Sequence, residues 1–245
     1  MKLGYGGGAI ADYPWHLNGQ KIWMEKDSEQ ALECLRNLDE LDYIMIDTAN
    51  RYGSGISEAI IGKAIRMDHV PANIGIFTKI ELADVEIMEM RLNESTQRLG
   101  RIEGVLLHNP DFRSSKIDEA CDWIKHLPGI KFFGMSTEPC EEVEMYYDKY
   151  GLNAIEFPYS VWDQRAERSI LSWISGNGEI LKIGNRILGG PRKDLTTGMV
   201  ELALNFVFGK LDIALIGTTN LFHLQECSRI AKRIKGAMHG SKNGA

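Results

Sequence analysis

Short apolar runs recur along the chain at residues 2–6, 43–46, 74–78, 104–107, 130–135, 153–157, 179–183 and 212–216. Between them, segments 28–38, 57–66, 85–99, 117–127, 141–150, 167–175 and 196–208 carry apolar residues at helical spacing, and 221–235 does so after the last run. Strand-length runs alternating with longer helical segments predict βαβ units and a parallel sheet. YIMI, GVLL and IALI are continuous rather than alternating apolar runs, as strands buried on both faces must be. Eight strands with seven intervening helices and a closing one leave a doubly wound open sheet or a closed (β/α)8 TIM barrel, and the strand count favours the barrel. One such α/β barrel takes about 250 residues. The 245 residues therefore read as a single domain over 1–245, with no Pro/Ser-rich linker, low-complexity tract or charge block to divide it. The polar, glycine-bearing end at 237–245 (AMHGSKNGA) is expected to fray.

Composition narrows the class. An apolar fraction of 44% and a charged fraction of 25% are those of a globular protein, which removes disordered and fibrous classes. The 28 Lys and Arg against 34 Asp and Glu give a formal net charge of −6, which works against a phosphate backbone, so no nucleic-acid partner is expected. No apolar run approaches the roughly 20 residues of a membrane span, and MKLGYGGGAI lacks the layout of a signal peptide, so the reading is a cytoplasmic protein with no membrane partner. Cys34, Cys121, Cys140 and Cys227 form no C-x-x-C pair and are expected to pack as reduced thiols. The six His are scattered without H-E-x-x-H spacing, and no metal is expected.

In a barrel of this kind the active site lies at the carboxyl ends of the strands. Asp47 follows YIMI, Lys79 follows IGIFT, His108 follows GVLL, and Tyr52 lies five residues beyond Asp47 in DTANRYG. Taken singly, each also reads as a cap or loop contact, Lys79 as a solvated charge and His108 as a loop hydrogen-bonding group. Taken together, three strands deliver complementary groups at one end. Such a set supports carbonyl reduction. A Tyr hydroxyl is a poor acid at neutral pH, and a neighbouring ammonium favours its phenolate. Asp47 would pair Lys79, and His108 would orient the carbonyl. A lyase or isomerase barrel with Lys79 as a Schiff-base amine is the competing chemistry.

The stretch IDTANRYGSGISEAIIGKAI resembles the aldo-keto reductase signature. The resemblance continues, in the family's order, through FTKI, LLHNPD, FFGMST, IEFPYSVWDQRAE and ALIGTTNLFHLQE, and covers nearly the whole chain. It implies a (β/α)8 barrel that reduces a small-molecule aldehyde or ketone with a nicotinamide cofactor. It makes Tyr52 the proton donor, Asp47 and Lys79 its supporting ion pair, and His108 the group that orients the carbonyl. Ser136 and Glu156 fall where the family holds the nicotinamide carboxamide, Leu188 to Gly190 near the pyrophosphate, and Gly217, Thr218 and Thr219 at the adenosine phosphate. The chain departs from the family's pattern at Thr137, where Asn is common, and at Glu156, where Gln is common. Asn185 and Arg186 stand where an aromatic often stacks on the nicotinamide. Because GTTNLFHLQEC carries no Lys or Arg, the expected cofactor is NADP(H) with reduced preference over NAD(H). The chain is short for the family, which implies an open mouth with room for a bulky substrate. Trp15, Trp23 and Trp162 are candidate apolar walls, with core packing the alternative use. A barrel that binds a nucleotide or a partner without turnover is the alternative function.

Overall fold

The computed structural model of the chain describes residues 1–11, 15–17, 20–22, 28–174, 179–190 and 194–240. Strand β1 (Lys2–Gly6) leads through a 3-10 turn (Gly7–Ala9) to two short antiparallel strands, β2 (Trp15–Leu17) and β3 (Gln20–Ile22). There follow α1 (Ser28–Arg36), β4 (Tyr43–Asp47), α2 (Ile56–Arg66), β5 (Gly75–Ile80), α3 (Val85–Leu99), β6 (Gly104–His108), α4 (Ile117–Lys125) and β7 (Phe132–Ser136). The chain continues with α5 (Glu142–Tyr150), β8 (Ala154–Pro158), a 3-10 turn (Arg165–Arg168), α6 (Ile170–Ile174), β9 (Leu181–Asn185), α7 (Thr197–Val207), β10 (Ile213–Ile216) and α8 (Leu221–Gly240). Strands β1 and β4 to β10 are parallel and close into a barrel in chain order, β10 pairing back onto β1. The eight expected runs are these eight strands.

Two expectations on helices are corrected. The sixth is not a continuous helix over 167–175, because Ser169, at φ −121° and ψ −91°, separates the 3-10 turn from the five-residue α6. Ser169 and Ser172 bond to local backbone carbonyls, a competition that lowers helix propensity. The last helix runs to Gly240, so residues 237–240 extend it rather than fray, and 241–245 lie outside the described residues. The β2–β3 pair was not expected, since three-residue strands leave too little pattern to read.

The period-two pleat sorts each barrel strand into two faces. Ile46, Ile76, Leu107, Met135, Phe157 and Ile216 pack with Leu35, Ile61, Met88, Ile124, Leu204 and Leu224 of the surrounding helices in one buried cluster. The alternate positions, Met45, Phe77, Ile183, Ile213 and Leu215, form a second cluster that plugs the barrel interior. Two residues further along the same strands, on the same inner face, come Asp47, Lys79, Asn185 and Gly217. The apolar plug is therefore the floor of a polar site. Cys34, Cys121 and Cys227 are buried and Cys140 half-buried, all as free thiols. Among the described residues no helix is long and apolar enough to cross a membrane.

Candidate active site

Asp47 ends β4, Lys79 lies one residue before the end of β5, and His108, Ser136 and Glu156 stand side by side across β6, β7 and β8 in the pairing His108 to Ser136 to Glu156. Parallel neighbours in register share a pleat face, so all three side chains enter the same layer. Tyr52 comes from the loop between β4 and α2. The three residues after it, Gly53 (φ 58°), Ser54 (φ 53°) and Gly55 (φ 90°), all have left-handed backbone, which glycine adopts at little cost. That turn folds the chain back so that Tyr52 returns to the mouth above Asp47.

The helix after the turn anchors it. Ser57 Oγ donates to the Gly7 carbonyl at 2.9 Å and lies 2.8 Å from Thr48 Oγ1. Glu58, fully buried, accepts from Thr78 Oγ1 at 2.7 Å and from Arg98 at 2.9 Å, which ties α2 to β5 and α3. A Cβ on Gly62 would come within 1.7 Å of the Arg98 carbonyl oxygen, so α2 and the end of α3 touch backbone to backbone. The Ser, Glu and Gly of ISEAIIG thus hold the Tyr52 loop in place.

Lys79 is the hub. Its Nζ lies 2.5 Å from both Asp47 carboxylate oxygens and donates to the Thr48 carbonyl at 3.1 Å and the Tyr52 hydroxyl at 3.4 Å. Glu156 Oε2 approaches it at 3.4 Å from the opposite wall. Lys79 is fully buried, which removes its reading as a solvated charge. Burial pulls its pKa down, but Asp47, Glu156 and Tyr52 outweigh that and raise it, so the amine stays protonated. A Schiff-base amine has to lose that proton, and the Schiff-base chemistry is thereby disfavoured. Asp47 is pushed up by burial and by Glu156 against the pull of Lys79.

Lys79 acts on Tyr52 in the expected sense, favouring the phenolate, but it is not the largest influence there. Burial raises the phenol's pKa, Lys79 opposes, and Asp47 and Glu156 add to the rise, so the net direction is up. Lys79 offsets part of the increase without reversing it. The Tyr52 ring stands edge-on to His108, with centroids 5.8 Å apart at 88°. His108 is 7% exposed, and burial followed by the charges of Lys79 and Arg51 lowers its pKa to about 3. It is a neutral imidazole with one N–H to donate.

Ser136 Oγ donates to Glu156 Oε1 at 3.1 Å, and Asn185 Nδ2 donates to the same oxygen at 2.8 Å. Glu156 Oε2 and Asn185 Oδ1 are buried acceptors without a hydrogen-bond partner. Neither the Asn185 contact nor the approach of Glu156 to Lys79 was anticipated from the sequence. The signal for Asn185 was its place two residues beyond the inward Ile183. Thr137 is buried and donates to the Glu138 carbonyl at 3.1 Å. Arg186, at φ 51°, pairs with Glu138 at 2.9 Å.

Leu188 is half-buried, and Gly190, at φ 86°, leaves open space where a side chain would stand. Gly217 closes β10. The Thr218 carbonyl accepts from the Tyr5 hydroxyl at 2.8 Å, and Thr218 Oγ1 accepts from the Asn220 amide at 3.1 Å just before α8 begins. Thr219 lies between them, half-exposed. Beside His108 opens a cleft of about 400 Å³ whose lining includes Arg51, Glu81, Asn109, Asp111, Ser114 and Lys116, with Leu82 its apolar member. Arg51 pairs with Glu81 at 2.9 Å, and Lys116 pairs with Asp84 at 2.8 Å. Trp162 is 42% exposed. Trp23 and the side chain of Trp15 lie outside the described residues.

This constellation at the mouth of a closed parallel barrel defines a class, and comparison with known proteins agrees. The profile of the aldo/keto reductase family matches residues 3–192, and the chain belongs to that family. It is 27% identical over 207 residues to aldo-keto reductase YhdN of Bacillus subtilis, a match that covers 78% of this chain and 61% of that protein's length. The holo form of an aldo-keto reductase from Bacillus halodurans superposes with a TM-score of 0.76 at 16% identity, over 96% of this chain and 91% of that one. An aldo/keto reductase from Klebsiella pneumoniae, solved in complex with NADP and acetate, gives 0.73 at 17% identity, over 94% and 85%.

Proposed function

We propose that the protein reduces an aldehyde or ketone to an alcohol at the expense of a nicotinamide cofactor, with Tyr52 as the general acid. The observation that carries this reading is the convergence on Lys79 Nζ of Asp47 at 2.5 Å and Tyr52 at 3.4 Å, with His108 edge-on to the Tyr52 ring. Membership in the aldo/keto reductase family and the NADP found in the Klebsiella relative support it.

The residues present fit a nicotinamide carboxamide. Its NH₂ needs acceptors, and the buried Glu156 Oε2 and Asn185 Oδ1 provide them, with Ser136 holding the other oxygen of Glu156. Leu188 and Gly190 offer backbone approach for a pyrophosphate, and Gly217, Thr218 and Thr219, just ahead of the α8 N-terminus, offer neutral donors to an adenosine phosphate. When bound, the reduced cofactor supplies the hydride. Neutral His108 donates its N–H to the substrate oxygen and holds the carbonyl in line with Tyr52. As charge builds on that oxygen, the Tyr52 hydroxyl gives up its proton, and the Lys79 ammonium stabilises the phenolate left behind. Asp47 fixes the position of Lys79 and keeps it charged. The phenol's raised pKa is tolerable because the alkoxide it protonates is a stronger base still. The polar lining of the cleft beside His108 favours a substrate with hydroxyl or charged groups near its carbonyl.

Tyr52→Phe tests the assignment. Turnover of NADPH with 4-nitrobenzaldehyde is expected to fall about 10²–10⁴-fold while cofactor affinity stays unchanged, because the hydroxyl acts in the transition state. Retention of more than about a third of wild-type turnover, with chemistry rate-limiting, would remove Tyr52 as the acid.

A further inference from the structure

Asp47, Lys79 and Glu156 form a buried trio in which two carboxylates face one ammonium. Their side chains are 4%, 0% and 2% exposed. Among the described residues their neighbours supply no second cation: His108 is held neutral, Tyr52 is held as the phenol, and Arg51 and Arg186 pair with Glu81 and Glu138. Fully ionised, the trio carries one net negative charge that solvent screens poorly, and an uncompensated buried charge is costly. Without a ligand the trio reduces that cost by retaining a proton, the direction in which Asp47 is pushed. A ligand that brings positive charge against Glu156 relieves the same imbalance, which a neutral amide at this position could not exploit.

We propose that Glu156 makes the Ser136–Glu156–Asn185 cluster selective for a cationic ring, so that the oxidised, positively charged nicotinamide is held more tightly than the reduced, neutral one. The inference rests on the nicotinamide reading above. Glu156 Oε2 faces Lys79 Nζ at 3.4 Å but is buried without a hydrogen bond, while Oε1 is fixed by Ser136 and Asn185, so the carboxylate keeps its orientation. The unpartnered Asn185 Oδ1 beside it is a second acceptor able to hold the ring by its amide. A tenfold preference for the oxidised form makes the bound two-electron couple about 30 mV more reducing than the free one. Glu156 thereby favours hydride donation and slows release of the oxidised cofactor.

The test measures dissociation constants of NADP⁺ by calorimetry and of NADPH by fluorescence, without substrate, for wild-type protein and for Glu156→Gln, which keeps shape and hydrogen-bonding reach. Wild-type protein is expected to bind NADP⁺ more tightly than NADPH. The ratio Kd(NADPH)/Kd(NADP⁺) is expected to fall about tenfold in Glu156→Gln, as loss of one poorly screened charge near the ring requires. A ratio that moves less than about twofold, roughly 0.4 kcal/mol, overturns the inference and leaves the nicotinamide reading standing. Tighter binding of NADPH than of NADP⁺ by wild-type protein overturns it without recourse to a variant. Failure of wild-type protein to bind either nucleotide removes both.

Discussion

Lys79→Met isolates what the central ammonium does for the fold. Methionine nearly matches the buried stem, so few packing contacts are lost, but the ion pair to Asp47, the bond to the Thr48 carbonyl and the approach to Glu156 all disappear. Two carboxylates then face each other in a site where their side chains are 4% and 2% exposed. Removing one partner of a buried pair costs about 3–5 kcal/mol. The cost depends on pH in a definite sense. Burial and the facing Glu156 carboxylate raise the folded-state pKa of Asp47 above its unfolded value. Between those values the folded state holds more protons than the unfolded one, so stability is greatest below the unfolded pKa and falls as pH rises toward the folded one. At pH 5, the lower of the two values compared, a proton retained on Asp47 removes the repulsion, and the loss shrinks to about 1–2 kcal/mol, the worth of the missing hydrogen bonds. Near pH 8 the full cost is expected. Urea unfolding of wild-type protein and variant, followed by circular dichroism at both pH values, measures the difference directly. A variant destabilised equally at both, or less at the higher pH, would refute the uncompensated-carboxylate argument.

Cofactor choice and the state of His108 give two further expectations. Thr218 and Thr219 offer hydroxyls where a cation would grip a 2′-phosphate, so the preference for NADPH over NADH is expected to stay below about a thousandfold in parallel titrations; a larger ratio means that a cation has been missed. Because His108 titrates near 3, the profile of kcat/KM against pH is expected to lack a limb near 6.5, the ordinary histidine value, and a limb there that vanishes in His108→Gln would contradict a neutral imidazole.

The alternation of apolar runs and helical spacing was enough to set the architecture, because strands buried on both faces and helices buried on one leave different periods in the chain. It also located Asp47, Lys79 and His108 at one end, since the ends of parallel strands coincide in a barrel. The DTANRYGSGISEAIIG stretch could be recognised because its residues do local work: consecutive left-handed positions need Gly53 and Gly55, and α2 needs Ser57, Glu58 and Gly62 to lock onto the 3-10 turn after β1, onto β5 and onto α3. The balance of charge was decided only when the barrel closed. Lys79 on β5 and Glu156 on β8 are 77 residues apart in sequence, and nothing in either segment records that Glu156 Oε2 ends 3.4 Å from Lys79 Nζ. That proximity follows from closure of the sheet around a shared interior, and it is why Lys79 alone does not set the acidity of Tyr52. A neighbour's effect on a pKa is legible from sequence only when every charge in the same dry volume is known, and tertiary structure decides which charges those are.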